Sequence, residues 1–316
     1  MRICLMIEGQ EEVTWDQWLA LALACEEHGL EGLFRSDHYA PIAGDPERGS
    51  LDAWAVLAAL AVRTERIRLG TLVSPVTFRH PSVLAKMAVT ADHASGGRIE
   101  VGMGAAWYHA DHDTYGFSFP DGPTRMQMLA EQLEIVHRQW SEEEFSFQGR
   151  HYRQQDCRAR PRPLQEPHPP IIVGGQAGRT SARLAARWAD EYNTVSATAE
   201  ECTRRRDVLA QAWDREGRDP DTLRFSLMTG CIVGADRAEV RERAGRVQER
   251  RRRTEDPSEF LQEVADTWIT GTVEEVVARL RTLEAAGVER VMLQHLAHDD
   301  VDMVALVGRE VVPAVA

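Results

Sequence analysis

The chain has 316 residues, of which 43% are hydrophobic and 28% are charged, a balance typical of folded globular proteins. A net charge of −13 disfavours general affinity for nucleic acid or for acidic membranes. No apolar run approaches the roughly 20 residues of a membrane helix, and the N-terminus does not resemble a signal peptide, so a cytoplasmic location is expected. The five cysteines are widely spaced without a Cys-x-x-Cys pair, which argues against a disulfide framework and a zinc knuckle.

Strand and helix patterns alternate along the chain. Short runs of β-branched and aliphatic residues predict strands, and these runs cover residues 1–7, 30–35, 67–73, 98–103, 170–173, 190–195, 223–233 and 289–293. Apolar residues at helical spacing predict helices, and these lie between 14 and 29, over 51–62, between 81 and 96, over 123–140, over 178–188, over 199–213, and between 272 and 287.

Local signals at the helix ends support this assignment. Thr14 with Gln17, and Thr272 with Glu275, have the spacing of a capping box. A strand, a helix and a strand joined by short connections give a parallel strand pair with a right-handed crossover. Eight such strands can close on themselves, so the sequence predicts an α/β fold of the (β/α)8 class, a TIM barrel.

Two segments interrupt the alternation, at about 142–169 and 254–270. The first is rich in Arg, Pro and Gln and contains Phe145, Phe147 and Tyr152, which suggest a short hairpin. Neither segment is long enough to bury a core of its own. We therefore expect residues 1–316 to form a single domain, with both segments inserted on the C-terminal face of the barrel.

Small residues follow the third and fourth predicted strands, in Gly70-Thr71-Leu72-Val73-Ser74-Pro75 and Gly102-Met103-Gly104-Ala105-Ala106. In parallel barrels the carboxyl ends of the strands carry the ligand site, and small residues leave backbone there against which a flat ring can lie. The alternative is that these glycines only allow helix and sheet to pack closely.

Several motifs together resemble the bacterial luciferase-like superfamily over nearly the whole chain. They are Ser-Asp-His at 36–38, Gly-Thr-Leu-Val-Ser-Pro at 70–75, Arg-His-Pro at 79–81, Ser-Gly-Gly-Arg at 95–98, Gly-Met-Gly-Ala-Ala-Trp-Tyr at 102–108 and Pro-Pro-Ile-Ile-Val-Gly-Gly at 169–175. Asp37-His38 after the second strand is more similar to the branch that uses the deazaflavin coenzyme F420 than to the flavin monooxygenases.

The resemblance implies a cofactor ring held against strands two to four. It implies a non-proline cis peptide bond at Leu72-Val73 behind the ring, and a phosphate at the loop 174–176, where the N–H groups of a helix N-terminus are free. Without the resemblance, that loop could equally be a simple glycine turn. The cofactor-binding residues expected on this basis are Asp37, Leu72, Val73, Gly104, Ala105, Ala106, Gly174, Gly175, Gln176 and Asn193.

His38 is the first candidate for acid–base catalysis, because an imidazole titrates near neutrality and can exchange a proton with a substrate oxygen. Its alternative role is a structural hydrogen bond at the strand end. Glu8, after strand one, is the second catalytic candidate, although an exposed loop carboxylate is the commoner outcome. Trp107, Tyr108 and His295 are predicted to border the substrate pocket, with rim packing as the alternative for the aromatic pair.

Two features limit the range of substrates and ligands. F420-dependent sugar-phosphate dehydrogenases of this superfamily carry a Trp and a Glu where this chain has Ile42 and Trp107, so sugar-phosphate oxidation is disfavoured and a more apolar pocket is expected. The cluster at 109–113 contains two His and two Asp residues, but loop residues so close together seldom face one ion, and no metal site is predicted.

Arg250 to Arg253 could clamp an anionic cofactor tail or could form the solvated end of a helix.

The resulting hypothesis is an F420-dependent oxidoreductase that transfers a hydride between the deazaflavin C5 and a small organic substrate. The first alternative is a monooxygenase that uses reduced flavin mononucleotide (FMN), and the second is a flavin-binding relative without catalytic activity. No nucleic acid or membrane partner is expected. Homodimers are common among such proteins, but the sequence itself shows no interface.

Overall fold

The computed structural model describes residues 1–316 and contains twelve strands. They are β1 (Arg2–Ile7), β2 (Gly32–Arg35), β3 (Arg68–Thr71), β4 (Ser74–Pro75), β5 (Ile99–Gly104), β6 (Phe145–Gln148), β7 (Arg153–Cys157), β8 (Ile171–Gly174), β9 (Glu191–Val195), β10 (Arg224–Gly234), β11 (Ile269–Thr272) and β12 (Arg290–Gln294). Eight of them, in the order β1, β2, β3, β5, β8, β9, β10 and β12, pair in parallel and close when β12 meets β1. The predicted TIM barrel is confirmed.

Helices surround the barrel. They are α1 (Trp15–Glu27), α2 (Ala53–Ala61), α3 (Pro81–Ser95), α4 (His109–Tyr115), α5 (Gly122–Ser141), α6 (Arg179–Trp188), α7 (Ala199–Arg215), α8 (Arg237–Arg250), α9 (Pro257–Val264), α10 (Val273–Ala285), α11 (Val301–Leu306) and α12 (Val312–Val315), with a 3-10 turn at Pro220–Thr222 and a π-helical segment at Val307–Val311. None of these helices combines the length and the apolar composition that a membrane span requires.

The predicted helix signals act as expected. Thr14 and Gln17 form a complete capping box at α1, and Thr272 and Glu275 form one at α10. Gly96 ends α3 in the left-handed conformation, with φ of 68°. Helices α4, α9, α11 and α12 lie outside the helices predicted from the sequence, and α8 was anticipated only as a helix ending at the run Arg250 to Arg253.

The two interrupting segments differ in structure. Strands β6 and β7 form an antiparallel hairpin within 142–169. Within 254–270, α9 is followed by the start of β11, which pairs with the carboxyl half of β10. Neither the hairpin nor β11 belongs to the closed ring of eight strands.

Buried residues fill the space on both sides of the barrel strands. Sixty-three buried residues fill the space between the barrel and the helices. A smaller apolar cluster, which includes Met6, Phe34 and Ile172, fills the middle of the barrel interior. At the amino ends of the strands, the buried guanidinium of Arg290 contacts Glu100 at 2.6 Å and Glu191 at 2.8 Å. The carboxyl ends of the strands therefore remain available to form a ligand site.

Candidate active site

The carboxyl ends of the barrel strands enclose a cavity of about 550 Å³. All the predicted site residues line it except Asp37 and His295. Those present are Glu8, His38, Leu72, Val73, Gly104, Ala105, Ala106, Trp107, Tyr108, Gly174, Gly175, Gln176 and Asn193. Residues that are scattered in the sequence therefore meet at one end of the barrel.

One wall of the cavity is nearly free of large side chains. The Leu72-Val73 peptide bond is cis, and Val73 occupies space that glycines leave open. A Cβ atom on Gly104 would lie 2.5 Å from Val73 Cγ2, and one on Gly174 would lie 3.1 Å from Val73 Cγ1. Ala106 adopts a left-handed conformation with φ of 63°. This wall of glycine, alanine and backbone fits a planar tricyclic ring.

The loop after β8 leads into a helix N-terminus that no side chain caps. Two hydrogen bonds hold this loop in place. The N–H of Gly175 donates to the Asn193 carbonyl oxygen at 3.0 Å, and the N–H of Ala177 donates to the Tyr192 hydroxyl at 2.8 Å. Gly178, the N-cap residue of α6, has no side chain with which to satisfy the first-turn N–H groups. The free N–H groups can donate hydrogen bonds to a phosphate, and the positive end of the helix dipole also favours a bound anion.

His38 forms a hydrogen-bonded pair with Asp111. His38 Nδ1 donates to Asp111 Oδ2 at 2.5 Å, and Asp111 Oδ1 accepts from the backbone N–H groups of Tyr39 at 2.9 Å and Ala40 at 2.7 Å. An ionised carboxylate only accepts, so Nδ1 carries the proton. No protein group bonds to Nε2, which is therefore available to accept or donate a proton in the cavity.

The surroundings of His38 favour its charged form. Burial alone would lower its pKa, but the hydrogen bond to Asp111 and the charges of Asp111, Glu8 and Asp37 outweigh burial and raise the pKa above the ordinary value. In turn, burial would raise the pKa of Asp111, while His38 and the two backbone N–H groups lower it. The pair is arranged to hold an imidazolium beside a carboxylate.

Glu8 lies on the cavity wall with both carboxylate oxygens engaged. Gln10 Nε2 donates to Oε2 at 2.8 Å, and Gln294 Nε2 donates to Oε1. Trp107 and Tyr108 flank His38, with ring centroids 5.8 Å from the imidazole in each case. The Tyr108 hydroxyl donates to the Pro41 carbonyl oxygen at 2.6 Å, whereas the Trp107 side chain is 64% exposed.

The comparisons with known proteins identify the family. The model for luciferase-like monooxygenases matches residues 3–290. The chain belongs to this family. The F420-dependent glucose-6-phosphate dehydrogenase of Nakamurella multipartita is 29% identical over 314 residues, which cover 93% of this chain and 90% of the relative. The F420-dependent hydroxymycolic acid dehydrogenase of Mycobacterium tuberculosis is 29% identical over 240 residues, covering 75% and 64%.

Solved structures of similar shape include the monooxygenase RslO1 from Streptomyces bottropensis. Its TM-score is 0.86 at 26% identity, with both chains fully covered. An F420-dependent secondary alcohol dehydrogenase, in complex with an F420-acetone adduct, has a TM-score of 0.84 at 21% identity, covering 100% of this chain and 99% of that one. This second likeness is one of fold.

Asp37 and His295 do not line the cavity of this luciferase-like protein, unlike the prediction. The segment that follows β2 directs Ser36 and His38 into the cavity and Asp37 away from it. Asp37 instead accepts hydrogen bonds from Ser74 Oγ at 2.7 Å and Arg79 Nη1 at 2.5 Å. Likewise, Gln294 faces inward, and His295 is buried outside the cavity with its Nε2 3.1 Å from the Asp300 carbonyl oxygen.

The segment 109–113 is the start of α4, where the sequence analysis placed a loop. His109 pairs with Asp113 at 2.7 Å on the exposed side, whereas Asp111 is buried beside His38. His112 Nε2 lies 2.7 Å from the Thr77 hydroxyl. Asp111 was not predicted from the sequence as the partner of His38. The available signals were Gly116, which ends the helix, and the i, i+4 spacing of His109 and Asp113.

Proposed function

We propose that this protein is an F420-dependent oxidoreductase that transfers a hydride between the deazaflavin and a small organic substrate, with His38 as its acid–base group. The observation that carries the proposal is the His38–Asp111 pair beside a cavity wall of small residues. Relatives named as F420-dependent dehydrogenases, similar over nearly the whole chain, support the choice of cofactor.

Bound F420 supplies a carbon atom that accepts or gives a hydride, and the protein must then position the substrate and manage a proton. The glycine and alanine wall would hold the ring, and the N-terminus of α6 would hold the phosphate. When an alcohol is oxidised, neutral His38 takes the hydroxyl proton at Nε2. When a carbonyl group or an activated double bond is reduced, the imidazolium donates that proton.

The residues around the cavity favour a substrate less polar than a sugar phosphate. Ile42 and Trp107 both line the cavity, and the family resemblance matches them to a Trp and a Glu of the sugar-phosphate dehydrogenases. Replacing the carboxylate by an indole removes a charged hydrogen-bond acceptor from the wall. Glu8 remains as a carboxylate on the wall, but two amide groups already bind it, so we assign it to anchoring the substrate or ring edge.

A monooxygenase that uses reduced FMN is the second candidate, and the likeness to RslO1 favours it. The test is to titrate the purified protein with F420 and with FMN, follow the absorption spectra, and measure turnover with and without dioxygen. The F420 proposal requires tight F420 binding and turnover that does not need dioxygen. Binding of FMN alone, with turnover that depends on dioxygen, would contradict it and support the alternative.

A further inference from the structure

A second cavity of about 310 Å³ adjoins the first. The two share a wall of five residues, namely Glu8, Ile42, Trp107, Val195 and Met228. His38 lines only the first cavity, whereas Arg48, Arg250 and Arg251 line only the second. A ligand that spans both cavities would therefore have one end at the acid–base group and the other end among arginines.

Two of these arginines have no carboxylate partner. Arg250 Nη2 donates to the Glu11 carbonyl oxygen at 3.0 Å and lies 3.1 Å from His298 Nδ1, while its Nε and Nη1 bond to no protein group. The Arg251 side chain makes no hydrogen bond and lies 5.8 Å from the Trp268 ring centroid. Burial and the neighbouring Arg48 lower the pKa of Arg250, as expected for a cation held near another cation.

The acidic residues of this cavity are already satisfied. Glu11 accepts from Arg48 Nη1 at 3.0 Å and from the N–H groups of Ile42 at 2.9 Å and Ala43 at 3.1 Å. Glu8, on the shared wall, accepts hydrogen bonds from the side-chain amides of Gln10 and Gln294. Although the whole chain carries a charge of −13, this cavity presents unpaired cations.

The position of these arginines near the end of α8 does not account for the arrangement. Cations near a helix carboxyl terminus interact favourably with the helix dipole, and this applies to the whole run 250–253. Arg252 and Arg253, however, pair on the surface with Asp45 and with Glu255 and Glu263. Only Arg250 and Arg251 turn into the cavity without a carboxylate.

The shared wall between the two ends is largely apolar and partly exposed. Trp107 is 64% exposed and Ile42 is 37% exposed, and Val195 and Met228 complete the apolar surface. Exposed apolar side chains in a concave site favour an apolar ligand body.

We infer that the second cavity binds the oxyanion group, a carboxylate or a phosphate monoester, of a substrate whose apolar body crosses the shared wall. The substrate role rests on the proposed function, whereas oxyanion binding itself does not. Guanidinium groups bind both oxyanions through charge-assisted hydrogen bonds. The reacting carbon would then lie beside His38.

The test uses the full chain without cofactor and follows binding by calorimetry and by intrinsic tryptophan fluorescence. The probes are octanoate, octyl phosphate, octanol and glucose 6-phosphate. Octanoate or octyl phosphate should bind about tenfold or more tightly than octanol, and the stronger of the two identifies the anion. Glucose 6-phosphate should bind more weakly than octyl phosphate, and equal binding would overturn the apolar body.

Matched variants in one arginine run locate the site. Arg251→Met, which removes no protein hydrogen bond, should weaken binding of the anionic probe about tenfold, and Arg250→Lys should retain part of the affinity. Arg252→Met, on the surface, should leave it unchanged. Equal affinities in Arg251→Met and Arg252→Met would overturn the inference. A parallel F420 titration separates the two proposals, because failure to bind F420 would contradict the proposed function while leaving arginine-dependent octanoate binding intact.

Discussion

Replacing Asp111 by Asn is expected to reduce the protonation of His38 with little change in shape. The side-chain oxygen of Asn can still accept from the backbone N–H groups of Tyr39 and Ala40, which lie 2.9 and 2.7 Å from Asp111 Oδ1. The second position, however, becomes an uncharged NH₂ group facing His38 Nδ1. The hydrogen bond that now holds the imidazolium at 2.5 Å is lost.

The size of the effect follows from the kind of bond that is removed. A hydrogen bond to a charged group is worth roughly 1.5–3 kcal/mol. Because about 1.4 kcal/mol corresponds to a factor of ten, the ratio of protonated to neutral His38 at a fixed pH should fall about 10- to 150-fold. The pKa of His38 is raised in the native protein, so its titration should move to lower pH in the variant. Oxidation by the neutral base would then persist to lower pH, and reduction by the imidazolium would be lost at lower pH.

The assay is a histidine side-chain NMR titration of the protein, followed by the pH dependence of turnover with F420. Asp113→Asn is the matched control on the same helix, because His109 and Asp113 also pair, at 2.7 Å, but are 65% and 71% exposed. Exposed pairs are screened by solvent and contribute little. An unchanged His38 titration in Asp111→Asn, or an equal shift in both variants, would refute the reasoning.

Three further predictions test the cavity and the barrel. His38→Ala should lower turnover about 10²- to 10⁴-fold while leaving F420 affinity nearly unchanged; unchanged turnover in steady-state assays would remove His38 from the mechanism. Gly104→Ala places a Cβ atom 2.5 Å from Val73 Cγ2 and should push the Val73 side chain into the cavity. F420 binding should then weaken in a spectroscopic titration, while the circular dichroism spectrum stays the same. Full F420 affinity in this variant would show that the ring does not rest against this wall. Arg290→Met leaves the buried Glu191 without a cation and Glu100 with Arg68 alone, and should lower the free energy of unfolding in urea by roughly 3–5 kcal/mol. Arg2→Met, at a partly exposed pair, should cost no more than about 1 kcal/mol, and equal losses in the two variants would contradict this explanation.

The fold could be predicted because its signals are local. Thr14 and Gln17 specify the start of α1 within four residues of chain, and Gly96 specifies the end of α3. Repeating strand and helix patterns then leave few topologies, since parallel crossovers have one hand. The motif at 102–108 placed the small-residue wall at the strand ends, where the structure has it.

The chemistry of the site was harder to predict because it depends on the direction of single side chains. His38 and Asp111 are 73 residues apart, and their contact requires that 109–115 be a helix in one particular rotation. His295 and Gln294 are neighbours, yet a shift of one residue decides which of them faces the barrel interior. Arg250 and Arg252 have the same chemistry and differ only in where the end of α8 turns them.

The barrel interior is divided along its axis into two regions with separate tasks. The ionic cluster around Arg290 closes the amino end and would have to be kept intact for the strands to stay together. The cavities lie at the other end, with much of their walls on connecting segments. The loops at the carboxyl end could therefore be exchanged to bind other substrates without disturbing the Arg290 cluster. Specificity can be redesigned at the carboxyl end while the amino end is kept unchanged for stability.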